Sequence, residues 1–251
     1  MMTYEGVRTV TVLVNRRERV RAATVQEIKD VARRQLVTDG QAAVSLRAIA
    51  REMGMTAPAL YRYFPSFDHL VRSLVGDLFG EVCTAMEDAR DLVPEDDAGA
   101  RLVAVCRTFR AWSVGHRAEF GLLFGTPMPA SAGDLLSAAQ AGGARFGEIF
   151  LTLFADVWRQ QGFAAPASSE LDPDLVRQLE AYGRVLGDGV PVGVTCVIVA
   201  AWMRLYGLVS LEVFNHLRFA LDDAGPMFEA ELRSLGEGLG IAGEYRPPGV
   251  G

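Results

Sequence analysis

Apolar residues recur at intervals of three and four along nearly all of this 251-residue chain. This spacing places them on one face of an α-helix, because a helix turns once in about 3.6 residues. The strict alternation that is typical of a half-buried strand is confined to one short run, TVTVLV at 9–14. The period therefore predicts an all-α fold, and a hydrophobic content of 50% supplies a large core for it.

The sequence lacks the residue groupings on which catalysis and metal binding usually depend. Cys83, Cys106 and Cys196 are odd in number and lie far apart, which excludes both a disulfide framework and a C-x-x-C zinc site. The three histidines lie in separate predicted helices, and the chain contains neither a phosphate-binding glycine loop nor an H-E-x-x-H pair. These features predict a protein that is not an enzyme and that holds no cofactor and no metal.

One long apolar stretch, 190–211, has to be distinguished from a membrane span. It begins near Pro191 and contains Arg204, and its uncharged part is shorter than the roughly 18 to 20 residues that a span requires. The N-terminus also lacks the long apolar core of a signal peptide. We therefore interpret the stretch as a buried helix and predict a cytoplasmic protein without a membrane partner.

Charge is divided unevenly along the chain, although the net charge is −6. Residues 1–67 contain eleven basic and six acidic residues, a balance of +5. Residues 68–251 contain 14 basic and 25 acidic ones, a balance of −11. A small basic unit joined to a larger acidic unit indicates that only the first one binds a polyanion.

Residues 45–65 carry the strongest local motif, two short helices separated by a tight turn. Ser45 is placed to cap the first helix, and Gly54 can adopt the positive φ that such a turn needs. Ala50 provides the small contact that two steeply crossing helices require, and Leu60 fills the wedge between them. The spacing alone fits an ordinary αα-hairpin equally well. The basic balance of residues 1–67 favours a DNA-binding helix-turn-helix instead.

Two stretches resemble a known family. SLRAIAREMGMTAPALYRYFPSFDHL, beginning at Ser45, resembles the DNA-binding unit of TetR-type bacterial regulators. FRAWSVGHRAEFGLLFGTPMP and AAWMRLYGLVSLEVF are similar to the C-terminal domain of the TetR subfamily named after a Trp-His-Gly signature. Trp202 and Gly207 stand in that pattern, whereas Tyr206 occupies the histidine position.

The resemblance implies an N-terminal three-helix helix-turn-helix DNA-binding domain followed by a larger helical effector-binding and dimerisation domain. We place a flexible basic arm at 1–19, the DNA-binding domain at 20–67 and the second domain at 68–251. Arg47 is expected to reach a base, because its guanidinium can pair with guanine. The predicted DNA-binding residues are Arg16, Arg17, Arg19, Ser45, Arg47, Thr56, Ala57, Pro58, Tyr61 and Tyr63.

The predicted helix 190–217 has two apolar stripes, and a helix that is apolar on two faces must be buried on both. We expect one face to pack within the chain and the other to pack on a second copy, as the resemblance also implies. A larger core within a single chain is the alternative. The predicted homodimer residues are Leu179, Tyr182, Leu186, Leu205 and Leu208.

Aromatic and methionine side chains concentrate between residues 109 and 158, which predicts an apolar cavity suited to a hydrophobic small molecule. The predicted lining is Cys83, Met86, Phe109, Trp112, Phe120, Phe124, Phe150, Phe154, Trp158 and Trp202. These features predict a ligand-responsive regulator, a repressor that such a molecule releases from a palindromic double-stranded DNA operator. The alternative is an effector-binding module that keeps this fold without binding a specific operator.

Overall fold

The computed structural model describes residues 15–125, 138–183, 189–243 and 245. Every regular element within these ranges is helical, which confirms the predicted all-α fold. The run at 9–14 lies outside the described residues. The ten α-helices of the described ranges are α1 (Arg16–Asp39), α2 (Leu46–Glu52), α3 (Ala57–Tyr61), α4 (Phe67–Asp91), α5 (Ala98–Gly115), α6 (Arg117–Phe124), α7 (Ala138–Gln161), α8 (Pro173–Gly183), α9 (Val192–Val213) and α10 (Gly225–Gly238).

The chain divides into two compact units between Leu70 and Val71, three residues beyond the boundary placed from the sequence. In the first unit, α1 packs against α2, and α2 packs against α3. The core of this unit consists of apolar side chains that recur at intervals of three to five residues along each helix, namely Ile28, Val31, Leu36, Leu46, Ile49, Ala50, Leu60 and Phe64.

The turn between α2 and α3 has the geometry that its glycine predicts. Gly54 adopts φ +65°, the left-handed region that favours glycine. The N–H of Met55 donates to the carbonyl of Ala50 at 2.8 Å, and the N–H of Gly54 donates to that of Arg51 at 3.3 Å. This pair of bonds satisfies the last carbonyls of α2 and allows α3 to start three residues later.

The start of α1 differs from the predicted arm. Arg16, Arg17 and Arg19 lie in the first turn of a helix rather than in a flexible segment. The reason is a capping box: the Asn15 side chain accepts from the N–H of Arg17, and the Glu18 carboxylate accepts from the N–H of Asn15. Residues 1–14 of the predicted arm lie outside the described residues.

In the second unit α9 is the central helix. By length and composition it is apolar enough to cross a membrane. It packs against α5, α7, α8 and α10. Its apolar residues Ile198, Leu205 and Val209 are buried. This packing agrees with the interpretation of the stretch as a core helix.

α9 ends at Val213, four residues before the predicted end at 217. Asn215 adopts φ +59°, and the N–H of His216 donates to the carbonyl of Leu211 at 2.8 Å. This arrangement is a Schellman motif in which asparagine takes the position usually held by glycine. Arg117 reinforces it, because its guanidinium donates to the Val213 carbonyl at 2.8 Å. The left-handed conformation of Asn215 therefore ends α9 before the residue that the spacing of apolar residues alone predicts.

Candidate functional site

The predicted recognition motif has a buried inner side and an exposed outer side. The Ser45 hydroxyl accepts from the N–H of Ala48 at 3.2 Å and so caps α2. Arg47, the second residue of α2, is exposed. Thr56 is the N-cap residue of α3 and makes no capping bond with its side chain, and Tyr61 at the end of α3 is 47% exposed. Polar groups of α2 and α3 are therefore available to a ligand.

Beside α3 lies a groove of about 710 Å³ that we call the arginine groove. α1 contributes one wall, and the turn before α3, α3 itself and the residues after it contribute the other. Its lining is Asn15, Arg16, Arg17, Val20, Arg21, Met55, Ala59, Arg62 and Tyr63. Four guanidinium groups and no carboxylate belong to this described lining. Such a concentration of positive charge suits an anionic backbone such as that of DNA.

Arg21 and Arg62 are members of the groove that the predicted site omits. The Arg21 guanidinium donates to the carbonyl of Arg62 at 3.3 Å and lies over the Tyr63 ring, 5.2 Å from its centroid. Arg21 thus connects α1 to the end of α3. A signal for it was present in the sequence, because Arg17 and Arg21 are four residues apart and share a helix face once residues 16–21 are helical. Arg19 is exposed but is not part of the described groove lining.

A cavity of about 160 Å³ lies between α7, α8 and α9 in the second unit. Its described lining is Phe146, Gly147, Phe150, Leu151, Phe154, Tyr182, Ile198, Val199 and Trp202. Phe150, Phe154 and Trp202 belong to the predicted ligand-binding set. Tyr182, which is also one of the predicted dimer residues, lines this cavity.

The other predicted ligand residues occupy different surroundings. Phe109 and Phe120 are fully buried in an aromatic cluster, and Phe124 is part of the same cluster with ring centroids 6.1 and 4.9 Å from theirs. Cys83 and Met86 on α4 are fully buried as well. Aromatic density alone did not separate cavity walls from solid core, because both consist of the same residue types. The predicted lining spans α4, α5, α6, α7 and α9, and only its members on α7 and α9 contribute to the cavity described here.

Trp112 and Trp158 also lie outside the described cavity lining. The indole N–H of Trp112 donates to Glu81 Oε1 at 3.0 Å, and the ring stacks on His116 with centroids 4.9 Å apart. Trp158 follows Phe154 by one turn on α7 and is half-buried.

Burial raises the pKa of the Cys83 thiol to about 11 and that of Cys106 to about 12, so both thiols stay protonated and unreactive at neutral pH.

Tyr206 replaces the histidine of the subfamily signature with a different polar contact. Its hydroxyl donates to the carbonyl of Phe124, the last residue of α6, at 3.2 Å. The ring stacks against Trp202 with centroids 5.6 Å apart. Tyr206 therefore joins α9 to the end of α6 and supports the tryptophan that forms part of the cavity wall.

The two dimer residues predicted on α9 differ in how far their own chain covers them. Leu205 is buried and Leu208 is half-buried, and together they border a narrow cleft of about 20 Å³ against Phe228 and Leu232 of α10. Leu205 is therefore covered by its own chain, whereas the dimer contact of Leu208 stays a prediction. Leu186 lies outside the described residues.

A third side of α9 is partly exposed, and we call it the outer face. It consists of Ala200, Met203 and Leu211, which are exposed, and of Cys196 and Gly207, which are half-buried. Met203 is 66% exposed and Leu211 is 42% exposed, which is high for apolar side chains on a core helix. Leu175 and Tyr182 of α8 are about as exposed as Leu211, whereas Leu179 of the same helix is buried. The spacing of apolar residues in the sequence did not identify the outer face, because the small residues Ala200 and Gly207 interrupt its row of large apolar side chains.

Comparison with known proteins agrees with this two-unit organisation. Residues 28–74 match the family described as "Bacterial regulatory proteins, tetR family", and residues 102–235 match "Tetracyclin repressor-like, C-terminal domain". The HTH-type transcriptional regulators Rv1816 of Mycobacterium tuberculosis and Mb1846 of Mycobacterium bovis are each 32% identical to the chain over 233 residues. These alignments cover 90% of this chain and 96% of each relative.

Solved structures share the fold. SCO4313, described as a regulatory protein, aligns with a TM-score of 0.66 and 28% identity over 88% of this chain and 98% of its own. A TetR/AcrR-family transcriptional regulator from Thermobifida fusca aligns with a TM-score of 0.52 and 19% identity over 89% of this chain and 100% of its own. The C-terminal match alone spans more than half of the chain, and the chain belongs to the TetR family of DNA-binding bacterial transcriptional regulators.

Proposed function

We propose that this protein is a cytoplasmic, ligand-responsive repressor. It binds a palindromic DNA operator as a homodimer, and a hydrophobic small molecule releases it. The arginine groove carries the proposal, because it concentrates four guanidinium groups beside the recognition helix α3 within a chain whose net charge is −6. In an acidic protein such a local excess of positive charge supports binding to the phosphate backbone.

The DNA contacts divide into two kinds. Arg47 reads a base, since it is exposed at the start of α2 and its planar fork matches the O6 and N7 atoms of guanine. Thr56, Ala57 and Pro58 bring small apolar groups to the bases. Tyr61 and the arginine groove bind phosphates, which fix the register of the protein on DNA but carry no sequence information.

The homodimer forms through the outer face of α9 together with the exposed side of α8. The outer face supports this assignment because Met203 and Leu211 remain exposed on it, whereas Leu205 is buried next to α10. Ala200 and Gly207 allow the backbones of two α9 helices to approach closely, and Met203 and Leu211 supply apolar area. A two-fold axis across this face would present the same residues from both protomers.

The effector binds in the cavity between α7, α8 and α9. Its walls are apolar and mostly aromatic, which favours a hydrophobic molecule. Such a molecule releases the operator only if it binds the DNA-free arrangement more tightly than the DNA-bound one. A thousandfold release corresponds to about 4 kcal/mol of that difference.

The proposal is tested by recovering an operator and then challenging it. Purified full-length protein selects DNA from a fragmented genomic library, and the recovered sequence is titrated by fluorescence anisotropy at several salt concentrations. We expect a palindrome whose half-sites lie about 34–36 Å apart or a multiple of that distance, with an affinity that falls as salt rises. Recovery of no common sequence, or an affinity independent of salt, would favour a module that keeps the fold without an operator.

A further inference from the structure

The cavity between α7, α8 and α9 has a definite size. Its volume of about 160 Å³ is close to that of apolar cavities, about 150 Å³, that accept a single benzene ring. A ligand with three fused rings exceeds this space, so part of it would project into solvent unless the walls move. Because Phe146, Phe150 and Phe154 are each at most 5% exposed, the walls contributed by α7 are held by the core behind them.

The walls also have a definite shape. The ring of Phe150 lies 5.4 Å from that of Phe146 at an interplanar angle of 63°, and 5.1 Å from that of Trp202 at 52°. The rings of Phe146 and Trp202 are inclined to each other by 73°. Steeply inclined rings present both edges and faces to the space between them, and a planar aromatic ring pairs with such surfaces better than a saturated ring of equal volume.

The charge of the walls restricts the ligand further. The described lining contains no ionisable side chain other than the phenol of Tyr182. A carboxylate or an ammonium group would therefore lose its hydration without gaining a counter-charge. Burial raises the pKa of Tyr182, so its hydroxyl stays neutral at physiological pH and can either donate or accept a hydrogen bond.

We propose that this cavity binds an uncharged, single-ring aromatic molecule with one hydroxyl-type substituent, a phenol-class ligand whose polar group pairs with the Tyr182 hydroxyl. This inference rests on the proposed function, because the same cavity is the effector site there. It adds the chemical class of the effector.

A glycine in the wall provides a sharp test. A Cβ atom added to Gly147 meets nothing within 4 Å, so Gly147→Leu places a side chain in the cavity without a clash at the backbone. Gly147→Ala fills it in part. Gly238→Leu is the matched control, because Gly238 is exposed on α10 and its Cβ position is equally open. Circular dichroism shows whether each variant is folded.

The probes are phenol, 4-methylphenol, benzoate, cyclohexanol and 9-phenanthrol, titrated against the full-length protein by thermal shift and tryptophan fluorescence. We expect the two phenols to bind best and benzoate to bind at least about 100-fold more weakly. Gly147→Leu should abolish phenol binding, Gly147→Ala should weaken it, and Gly238→Leu should leave it unchanged. Toluene is added as the probe that lacks the hydroxyl group, and Tyr182→Phe should reduce the preference for 4-methylphenol over toluene by roughly two- to tenfold.

The contrary outcomes distinguish a wrong ligand class from a wrong account of repressor release. Binding of benzoate or 9-phenanthrol as tight as that of phenol, binding of phenol that survives Gly147→Leu, or binding of none of these probes would overturn the ligand class. If the phenols bind as expected but leave the affinity for the recovered operator unchanged, the class stands and release of the repressor by the effector is overturned.

Discussion

Arg47 and Tyr61 are exposed residues of the same motif, yet they should contribute differently to DNA binding. Arg47→Ala should relax the preference at one base pair in each half-site and cost roughly 1 to 3 kcal/mol on the preferred sequence. Tyr61→Phe should weaken binding to all sequences by a similar factor, because a phosphate contact is independent of sequence. Both are measured by titrating the recovered operator and single-base variants of it.

The matched pair makes the assignment of Arg47 refutable. If Arg47→Ala lowers affinity equally for the operator and for its single-base variants, Arg47 binds the backbone and does not read a base. The Ser45 hydroxyl caps α2 only as an acceptor, so its O–H can still donate to a phosphate, and its DNA contact stays a prediction.

Tyr206 allows a stability prediction at the scale of one hydrogen bond. Tyr206→Phe removes the donor to the Phe124 carbonyl and should lower the free energy of unfolding by about 0.5 to 1.5 kcal/mol. Urea unfolding followed by circular dichroism measures this difference. Tyr61→Phe is the control, since its exposed hydroxyl should contribute little to stability. Equal stability of wild type and Tyr206→Phe would mean that the Phe124 carbonyl finds water as an equal partner.

At the scale of helices, the spacing of apolar residues predicted which side chains are buried, but it did not predict which helix or subunit packs on them. Ala50 and Leu60 are buried as the motif predicts, because a single apolar stripe on a short helix has only one buried direction. α9 has two stripes, and the choice between α10 and a second copy depends on contacts far apart in sequence. Local period carries no information about those contacts.

Helix ends show the same limit in a different form. The capping box Asn15–Glu18 has a recognisable sequence signature, so the start of α1 could have been read from the sequence. The end of α9 could not be read as easily, because Asn215 substitutes for glycine in the left-handed position and the supporting hydrogen bonds come from Arg117 in another helix. Phe150, Phe154 and Trp202 of the cavity lining were predicted, but the full lining could not be, because its walls come from three helices that are distant in sequence.

The two sides of α9 lead to a prediction about assembly. Met203→Glu places a charge on the outer face and should yield a folded monomer, because the glutamate is solvated once the partner has left. Leu205→Glu buries the charge against α10 and should cost several kcal/mol of folding free energy, so the protein should unfold or aggregate. Light scattering and circular dichroism distinguish the two results. A Met203→Glu protein that remains a dimer would place the interface elsewhere.

At the scale of the whole molecule, the uneven charge distribution should appear in the salt dependence of operator binding. Each phosphate contact contributes about 0.9 to the slope of log affinity against log salt. Arg17→Gln removes one groove arginine from each of two protomers, so the slope should fall by about 2. Arg177→Gln, an exposed arginine of the acidic second unit, is the control and should leave the slope unchanged. An unchanged slope for Arg17→Gln would remove Arg17 from the DNA contacts.

Adjacent residues of α9 lie at the two proposed binding sites: Trp202 forms a wall of the effector cavity, and Met203 lies on the outer face, where the second protomer is proposed to bind. If the effector and the second protomer bind as proposed, the two binding events are thermodynamically linked, because a rotation of α9 that favours one event changes the binding free energy of the other. Linkage is reciprocal, so the factor by which phenol changes the dimer dissociation constant must equal the factor by which dimerisation changes phenol affinity. The sensitivity of this regulator to its effector would then depend on how many copies the cell contains, and phenol titrations at nanomolar and micromolar protein should give different dissociation constants.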